Sequence, residues 1–253
     1  MALSLGAEGI SYLEGKQWDA TLSYRFLHSD RVFSRSHEQA PLRNSSVSDI
    51  HSFDLTASYA FTKRFSASLT LPFLHAEHTS AWEHDGVQFH TMTAAGVGDI
   101  RLLGNAWLLD PEKFTDGNIA LSAGVKFPTG DDNAQDISYQ ANGPVKRPVA
   151  DSIQLGDGGW GLVLEVQAYQ KVFDRAHIYL TGQYVINPRG QNDTLATVPD
   201  PVGIITTNSV PDQFVVRAGL LYNLWPEQGL SASLGGRIQG IPVHDLVGSD
   251  EGW

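Results

Sequence analysis

Length, composition and charge exclude several classes of protein. The chain has 253 residues, of which 42% are hydrophobic and 18% are charged, so a disordered chain is not expected. Its formal charge of −11 provides no basic surface for phosphates, which argues against a nucleic-acid partner. It contains no cysteine, hence no disulfide framework and no thiolate metal site, and no run of about 18 apolar residues that would cross a membrane as a helix.

Nine segments alternate apolar and polar side chains with the two-residue period of a β-strand. In residues 118–130, NIALSAGVKFPTG, Ile119 and Leu121 stand on one face, and Ser122 and Lys126 on the other. The segments are about ten residues long, which is long for a soluble sheet and sufficient for a tilted strand to cross a bilayer. In chain order they cover residues 18–26, 51–61, 65–73, 98–106, 119–127, 160–167, 178–186, 214–222 and 230–239.

The connections between these predicted strands alternate in length. Short ones lie at 62–64, 109–117, 172–176 and 225–229, and long polar ones at 29–49, 75–93, 129–158 and 187–212. Outer-membrane barrels have short turns at the periplasmic end and long loops at the outer end. A lectin-like sandwich or jelly roll is the soluble alternative, but it gives no reason for loops sorted by length.

Aromatic side chains of the apolar face cluster at both ends of the predicted strands, and the positions between them are mostly Ala, Leu, Val and Ile. Near the short connections lie Trp18, Tyr59, Phe61, Phe65 and Tyr222; near the long ones lie Phe26, Phe53, Phe73, Phe127, Trp160, Tyr184 and Phe214. Two aromatic belts around an aliphatic band are typical of a barrel wall in a bilayer. The apolar face is therefore expected to contact lipid, and the polar face to line a lumen.

The predicted fold class is all-β: a transmembrane antiparallel up-and-down β-barrel in one domain over residues 1–253. An odd number of strands does not close a bacterial barrel of this kind, so about 10–12 strands are expected when the barrel is complete. Residues 244–253, HDLVGSDEGW, lack strand alternation, which suggests that C-terminal closing strands are missing from this sequence. Alternatively, residues 3–12 form a tenth strand. The start, MALSLGAEGIS, does not read as a signal peptide, so we expect an outer-membrane protein whose leader has been removed.

Charged residues on the predicted polar face are candidates for the lumen wall. Counting from the short connections places Asp99 beside Lys126, with Arg101 next to them, and makes Arg217 and Arg237 neighbours. Two interpretations stay open: a structural network that fills the lumen, or a selectivity site. The complete set is Arg25, Asp54, Asp99, Arg101, Lys126, Glu165, Arg217 and Arg237.

Other candidate chemistry is weaker. The predicted loop at 75–93 holds four histidines that could bind zinc, nickel or copper, namely His75, His78, His84 and His90, or that are merely solvated. Oxygen donors suited to calcium follow further on, at Asp131, Asp132, Asn133 and Asp136, without the order of a known calcium loop. No catalytic motif is found, so neither an enzyme nor a cofactor is expected.

Two stretches resemble a known family. GVGDIRLLGNAWL at 96–108, followed by LSAGVKFPTGDD at 121–132, is similar to the outer-membrane channels associated with the meta-cleavage pathway of phenol degradation. The resemblance implies a barrel of roughly twelve strands that passes small hydrophobic or aromatic molecules. The expected partners are then outer-membrane lipid, lipopolysaccharide and a small apolar substrate. The alternative function is a structural or interaction barrel with a plugged lumen, whose long loops bind a protein partner.

Overall fold

The computed structural model describes residues 14–34, 37–42, 44–82, 84–195, 207–228, 230–242 and 244–247. Within these ranges, the helical elements are single 3-10 turns at Ala40–Leu42, Asp151–Ile153 and Pro226–Gln228, and no helix is long and apolar enough to span a membrane. The strands are β1 (Trp18–Ser29), β2 (Phe33–Ser34), β3 (His37–Glu38), β4 (Ser46–Ala60), β5 (Phe65–Ser80), β6 (His90–Val97), β7 (Arg101–Trp107), β8 (Gly117–Lys126), β9 (Gln135–Gln140), β10 (Gly143–Pro148), β11 (Gly161–Phe173), β12 (Ala176–Ile186), β13 (Gln191–Leu195), β14 (Thr207–Ser209), β15 (Gln213–Trp225) and β16 (Leu230–Gly240).

One antiparallel sheet dominates the fold. Its strands follow one another in chain order, β1-β4-β5-β7-β8-β11-β12-β15-β16, and β6 pairs with the far half of β5. Because β6 and β7 form a single crossing interrupted at residues 98–100, the described part of the chain makes nine crossings, as the sequence predicts. The outermost strands of the described sheet are β1 and β16, and the candidate tenth strand at 3–12 lies outside the described residues.

The sheet connections keep the predicted order, although those at 108–116 and 81–89 are both nine residues long and do not differ in length. Short connections at 61–64, 108–116, 174–175 and 226–229 form one end, which we call the short-turn end. Long connections at 30–45, 81–89, 127–160 and 187–212 form the other, the long-loop end. The long connections carry three small two-stranded sheets, β2-β3, β9-β10 and β13-β14.

The two faces of the sheet have opposite exposure. On β11, the side chains of Leu162, Leu164 and Val166 are exposed, whereas those of Val163 and Glu165 are buried. The exposed face is therefore the apolar one, and the buried face carries most of the charge. A soluble sheet would bury the apolar side chains instead. This inside-out pattern is the one a lipid-facing barrel requires.

The pattern inverts near the long-loop end of β4 and β5. Up to Phe73 the outward side chains are apolar, but the next outward residues are His75 and Glu77. On the inward face, Leu74 and Ala76 are buried and apolar. The strand continues to Ser80 and β6 begins at His90, so the prediction of a loop over 75–93 is wrong for much of that range. Beyond an apolar band, an outer wall faces water, which explains polar residues outside and apolar ones inside.

Residues 127–160, which we call the inner segment, fold onto the enclosed face at the long-loop end. Val149, Ile153 and Leu155 pack in one apolar cluster with Leu74 and Met92, which come from the inward face of β5 and β6. Ile153 and Val149 have no exposed surface. This segment, expected as a polar loop over 129–158, therefore supplies a small hydrophobic core inside the sheet.

Candidate functional site

The charged layer is a set of ionisable side chains that the sheet brings together on its enclosed face. They lie on this face because successive side chains of a strand alternate between its two faces, and each of these residues occupies an inward-facing position of its strand. The layer consists of Arg25 on β1, Asp54 on β4, Arg101 on β7, Glu165 on β11, Arg217 on β15 and Arg237 on β16. Six strands thus contribute to one layer between the two ends of the sheet.

Arg101 is the most deeply buried cation of the charged layer, with 4% of its surface exposed. Its Nη1 donates to Gln183 Oε1 at 3.5 Å, and its Nη2 lies 3.9 Å from Asp54 Oδ2. Gln183 Nε2 in turn donates to Glu165 Oε2 at 2.9 Å. Gln183 therefore bridges the guanidinium and the second carboxylate of the layer.

Arg217 and Arg237 are direct cross-strand partners in the pairing of β15 with β16. Arg25 lies within electrostatic range of Arg217, Arg101 and Asp54, and its Nε donates to Ser52 Oγ at 3.1 Å. Arg25 and Arg217 also act on Arg237. Three guanidinium groups from both ends of the strand order thus lie close together, which requires the sheet to curl strongly.

A second polar cluster, the clamp, fastens both ends of the inner segment. It consists of Asp99, Lys126, Thr129, Gly130 and Asp157. Lys126 Nζ bonds to Asp157 and lies 3.6 Å from Asp99 Oδ2, so the predicted pair is present. Arg101 on β7 lies directly opposite Lys126 on β8 in the strand register. Asp99 accepts from the backbone N–H of Gly130 at 3.0 Å and of Asp157 at 3.3 Å.

Thr129 joins the inner segment to the interruption between β6 and β7. Its hydroxyl accepts from Ile100 N at 2.9 Å and donates to Gly98 O at 3.0 Å. The hydroxyl thus adds to the backbone bonds of this interruption, in which Gly98 N donates to Pro72 O and Phe127 N donates to Ile100 O. The two stretches that carry the family resemblance, 96–108 and 121–132, meet at this point.

Sequence reasoning missed two functional candidates. Asp157 was placed inside a long polar loop, although the GDGG run at 156–159 indicates a tight chain path: a Cβ on Gly156 would lie 2.7 Å from Gly130 O. Gln183 lies on the polar face of the predicted strand at 178–186. An uncharged amide gives no signal in a sequence that it links Arg101 to Glu165.

The four histidines proposed as a metal site do not assemble. His75 lies on the exposed face of β5, while His78 lies on its buried face, where Nδ1 and Ser48 Oγ are 2.8 Å apart. His84 Nδ1 accepts from Tyr139 N at 3.0 Å, and the ring of His90 stacks on Tyr139. Two of the four therefore belong to strand β5 rather than to one loop. No group of three or more His, Cys, Asp or Glu suited to a metal occurs in the described part of the chain.

In the acidic run suggested as a calcium site, residues 131–136, carboxylate oxygens accept hydrogen bonds from backbone N–H groups. Asp131 Oδ1 accepts from Asn133 N, and the two carboxylate oxygens of Asp136 accept from Ile137 N and Thr93 N. In the connection before β6, the backbone N–H groups of Gln88 and Val87 donate to Asp85, which lowers the pKa of that carboxyl. Acidic side chains in these connections thus stabilise turns.

Comparison with known proteins finds a likeness in structure alone. No protein-family model and no curated protein sequence matches the chain. The crystal structure of an outer membrane channel from Pseudomonas putida F1 is similar, with a TM-score of 0.59 and 15% identical residues, over 92% of this chain and 78% of that one. The chain has the fold of an outer-membrane β-barrel.

The likeness confirms the fold class predicted from the strand pattern, a transmembrane antiparallel up-and-down β-barrel. At this level of identity it is a statement about fold. It also explains the inside-out exposure of the sheet, since the exposed apolar face is the one that meets lipid in such barrels.

Proposed function

We propose that the chain is a channel of the bacterial outer membrane that passes small solutes passively. The observation that carries this proposal is the charged layer, in which six strands direct ionisable side chains into the enclosed space while the opposite face is apolar. Ionisable groups at membrane depth are costly and commonly mark a solute or ion pathway. The similar fold of an outer membrane channel supports it. The proposal includes contact of the outer wall with lipid and lipopolysaccharide, and assigns no catalytic role.

For the solute, the family resemblance favours small hydrophobic or aromatic molecules. The resemblance rests on the stretches 96–108 and 121–132, which the clamp holds together. Both stretches lie beside the enclosed space, so they are placed to shape the path of a solute. Association with phenol degradation is part of this proposal.

The experiment is conductance of the purified protein in planar lipid bilayers. We expect stable unit currents, and a shift of the reversal potential in a salt gradient toward cation selectivity when Arg217→Glu and Arg237→Glu are combined. The matched control is Lys63→Glu combined with Lys113→Glu, a double charge reversal in exposed connections of the short-turn end. Bilayers that stay silent both with correctly folded wild type and with the Thr129→Val variant described next would reject the channel.

A second candidate function is an interaction barrel whose lumen is plugged and whose long loops bind a protein partner. The inner segment favours it, because Val149 and Ile153 pack a hydrophobic core across part of the enclosed face. Conductance of the Thr129→Val variant, in which the clamp is weakened, distinguishes the channel from the interaction barrel. Currents that appear only after Thr129→Val indicate a gated channel, whereas silence in both proteins favours the interaction barrel.

A further inference from the structure

The charged layer has more cations than anions among the residues the structure describes. Its guanidinium groups belong to Arg25, Arg101, Arg217 and Arg237, and its carboxylates to Asp54 and Glu165. The layer therefore has a formal charge of +2, from four arginines and two carboxylates, inside a chain whose total is −11. A positive layer enclosed in an acidic protein is a local feature and does not follow from composition.

Two of the four arginines present unused donors inside the layer. Nη2 of Arg25 and Nη2 of Arg101 are both buried, and neither has a hydrogen-bond partner among the described residues. The 3.9 Å between Arg101 Nη2 and Asp54 is too long for a hydrogen bond. A buried donor on a charged group without a partner is destabilising, and such groups normally have an acceptor.

The other two arginines bring further positive charge into the same layer. Arg217 and Arg237 face each other as cross-strand partners, an arrangement that is unfavourable for like charges. Arg25 acts on both of them. An anion between these groups would offset their repulsion, and guanidinium groups are suited to oxyanions because they donate two parallel hydrogen bonds.

We propose that the charged layer is a binding subsite for a small solute that carries a carboxylate or phosphate group. The arginines named above supply the donors, and Nη2 of Arg25 and Nη2 of Arg101 are the atoms that would donate hydrogen bonds to the anion. This inference rests on the proposed channel function and narrows its small hydrophobic or aromatic solutes to those that carry an acidic group, such as small organic acids. Asp54 lies beside Arg101, and Glu165 reaches it through Gln183, so both help to hold its guanidinium in place.

The test is binding of inorganic phosphate and of acetate to the purified full chain in detergent, by titration calorimetry at constant ionic strength maintained with potassium chloride. We expect saturable binding of at least one of the two probes. The double variant Arg217→Gln with Arg237→Gln should weaken it by about tenfold or more, because two charge-assisted donors are lost. Lys63→Gln combined with Lys113→Gln, an equal loss of two positive charges at the exposed short-turn end, should leave it unchanged.

A second variant separates a site from a general positive field. Arg237→Lys keeps the charge and removes the planar fork, so binding should weaken several-fold while the reversal potential in bilayers stays near that of the wild type. If the double variant does not fold, Arg237→Lys alone tests the subsite. Weaker binding of the probe by Arg237→Lys supports the subsite, and unchanged binding overturns it.

The inference and the proposed function fail differently. Currents without saturable binding of either probe, or binding equal in wild type and the double variant, would overturn the subsite and leave the channel standing. Binding that is lost in the double variant, in a protein that carries no current, would support the subsite and reject passage.

Discussion

At the scale of single residues, Gly235 shows how closely the inner wall of the sheet is packed. A Cβ at this position would lie 2.5 Å from Ala218 O and 2.7 Å from the hydroxyl of Tyr179, which covers Gly235 and its partner Gly219. An aromatic side chain laid over glycines is a recurrent way of protecting them in sheets. The neighbouring Gly236 points to the other face, where a Cβ would meet nothing within 4 Å.

These adjacent glycines give a matched prediction. Gly235→Ala should reduce the free energy of unfolding by about 1–3 kcal/mol, since the methyl group displaces the strand or Tyr179. Gly236→Ala should be neutral or slightly stabilising, because it restricts the unfolded chain and strains nothing. Urea unfolding in micelles, followed by tryptophan fluorescence, measures both. Equal effects of the two substitutions would show that the inward packing is not as described.

Leu22 and Ser23 are adjacent residues whose side chains lie on opposite faces of the barrel wall, so substitutions at the two positions can be compared. Leu22 is 69% exposed on the apolar face, and Ser23 is its neighbour on the enclosed face, opposite Asp54 in the strand register. Leu22→Arg should cost about 2–4 kcal/mol, the range for arginine at the bilayer midplane. Ser23→Arg should be tolerated, because Asp54 is close to the new charge. The measurement is the refolded fraction in lipid vesicles, and a Ser23→Arg protein that refolds worse than Leu22→Arg would reverse the assignment of faces.

At the scale of elements, the strand positions could be predicted because alternation is a local signal. Each crossing of the apolar band repeats the same two-residue period, so its position can be read directly from the sequence. The extension of β5 from Leu74 to Ser80 escaped prediction since the faces exchange polarity there: apolar residues move from odd positions such as Leu71 to even ones such as Leu74 and Ala76. A pattern search that assumes one phase per strand ends the strand at Phe73.

The inner segment could not be predicted for a different reason. Its core joins Val149 and Ile153 to Met92 and Leu74, residues far apart in the chain. No period in the segment itself indicates such packing. One part of the clamp could be predicted. Counting residues from the short connections places Asp99 next to Lys126. The same count gives no position for Asp157, because Asp157 lies in a long connection whose path does not follow the strand spacing.

The clamp leads to a prediction about the inner segment. Thr129→Val removes the hydroxyl that bonds to Ile100 N and Gly98 O, while Thr129→Ser retains it. Loss of these two hydrogen bonds, one exposed and one partly buried, should weaken the local attachment by about 1–3 kcal/mol. Amide hydrogen exchange in residues 127–160 should therefore speed up in Thr129→Val and stay near wild type in Thr129→Ser. Unchanged exchange in Thr129→Val would show that the clamp does not hold the segment.

At the scale of the whole molecule, the fold is a sheet turned inside out relative to a soluble protein. Its charged layer, clamp and small apolar core lie within, and most of the large aliphatic and aromatic side chains of the described residues lie on the outer surface. In water, this arrangement would expose a very large apolar surface, which soluble proteins avoid. A bilayer removes that cost, and the antiparallel sheet satisfies the backbone within it. Both the channel proposal and the anion subsite depend on this placement.

The measurement that tests the placement most directly uses the absence of cysteine from the chain, which allows a single spin label at any chosen position. Cysteine is introduced in turn at Leu162, Val163, Leu164, Glu165 and Val166 of β11, and the protein is reconstituted in lipid vesicles. Collision rates are then measured with oxygen, which concentrates in lipid, and with a water-soluble nickel complex. We predict that labels at 162, 164 and 166 collide with oxygen and are protected from nickel, whereas labels at 163 and 165 are protected from oxygen. Nickel access to 162, 164 and 166, or accessibility without a two-residue period, would contradict a lipid-facing barrel wall.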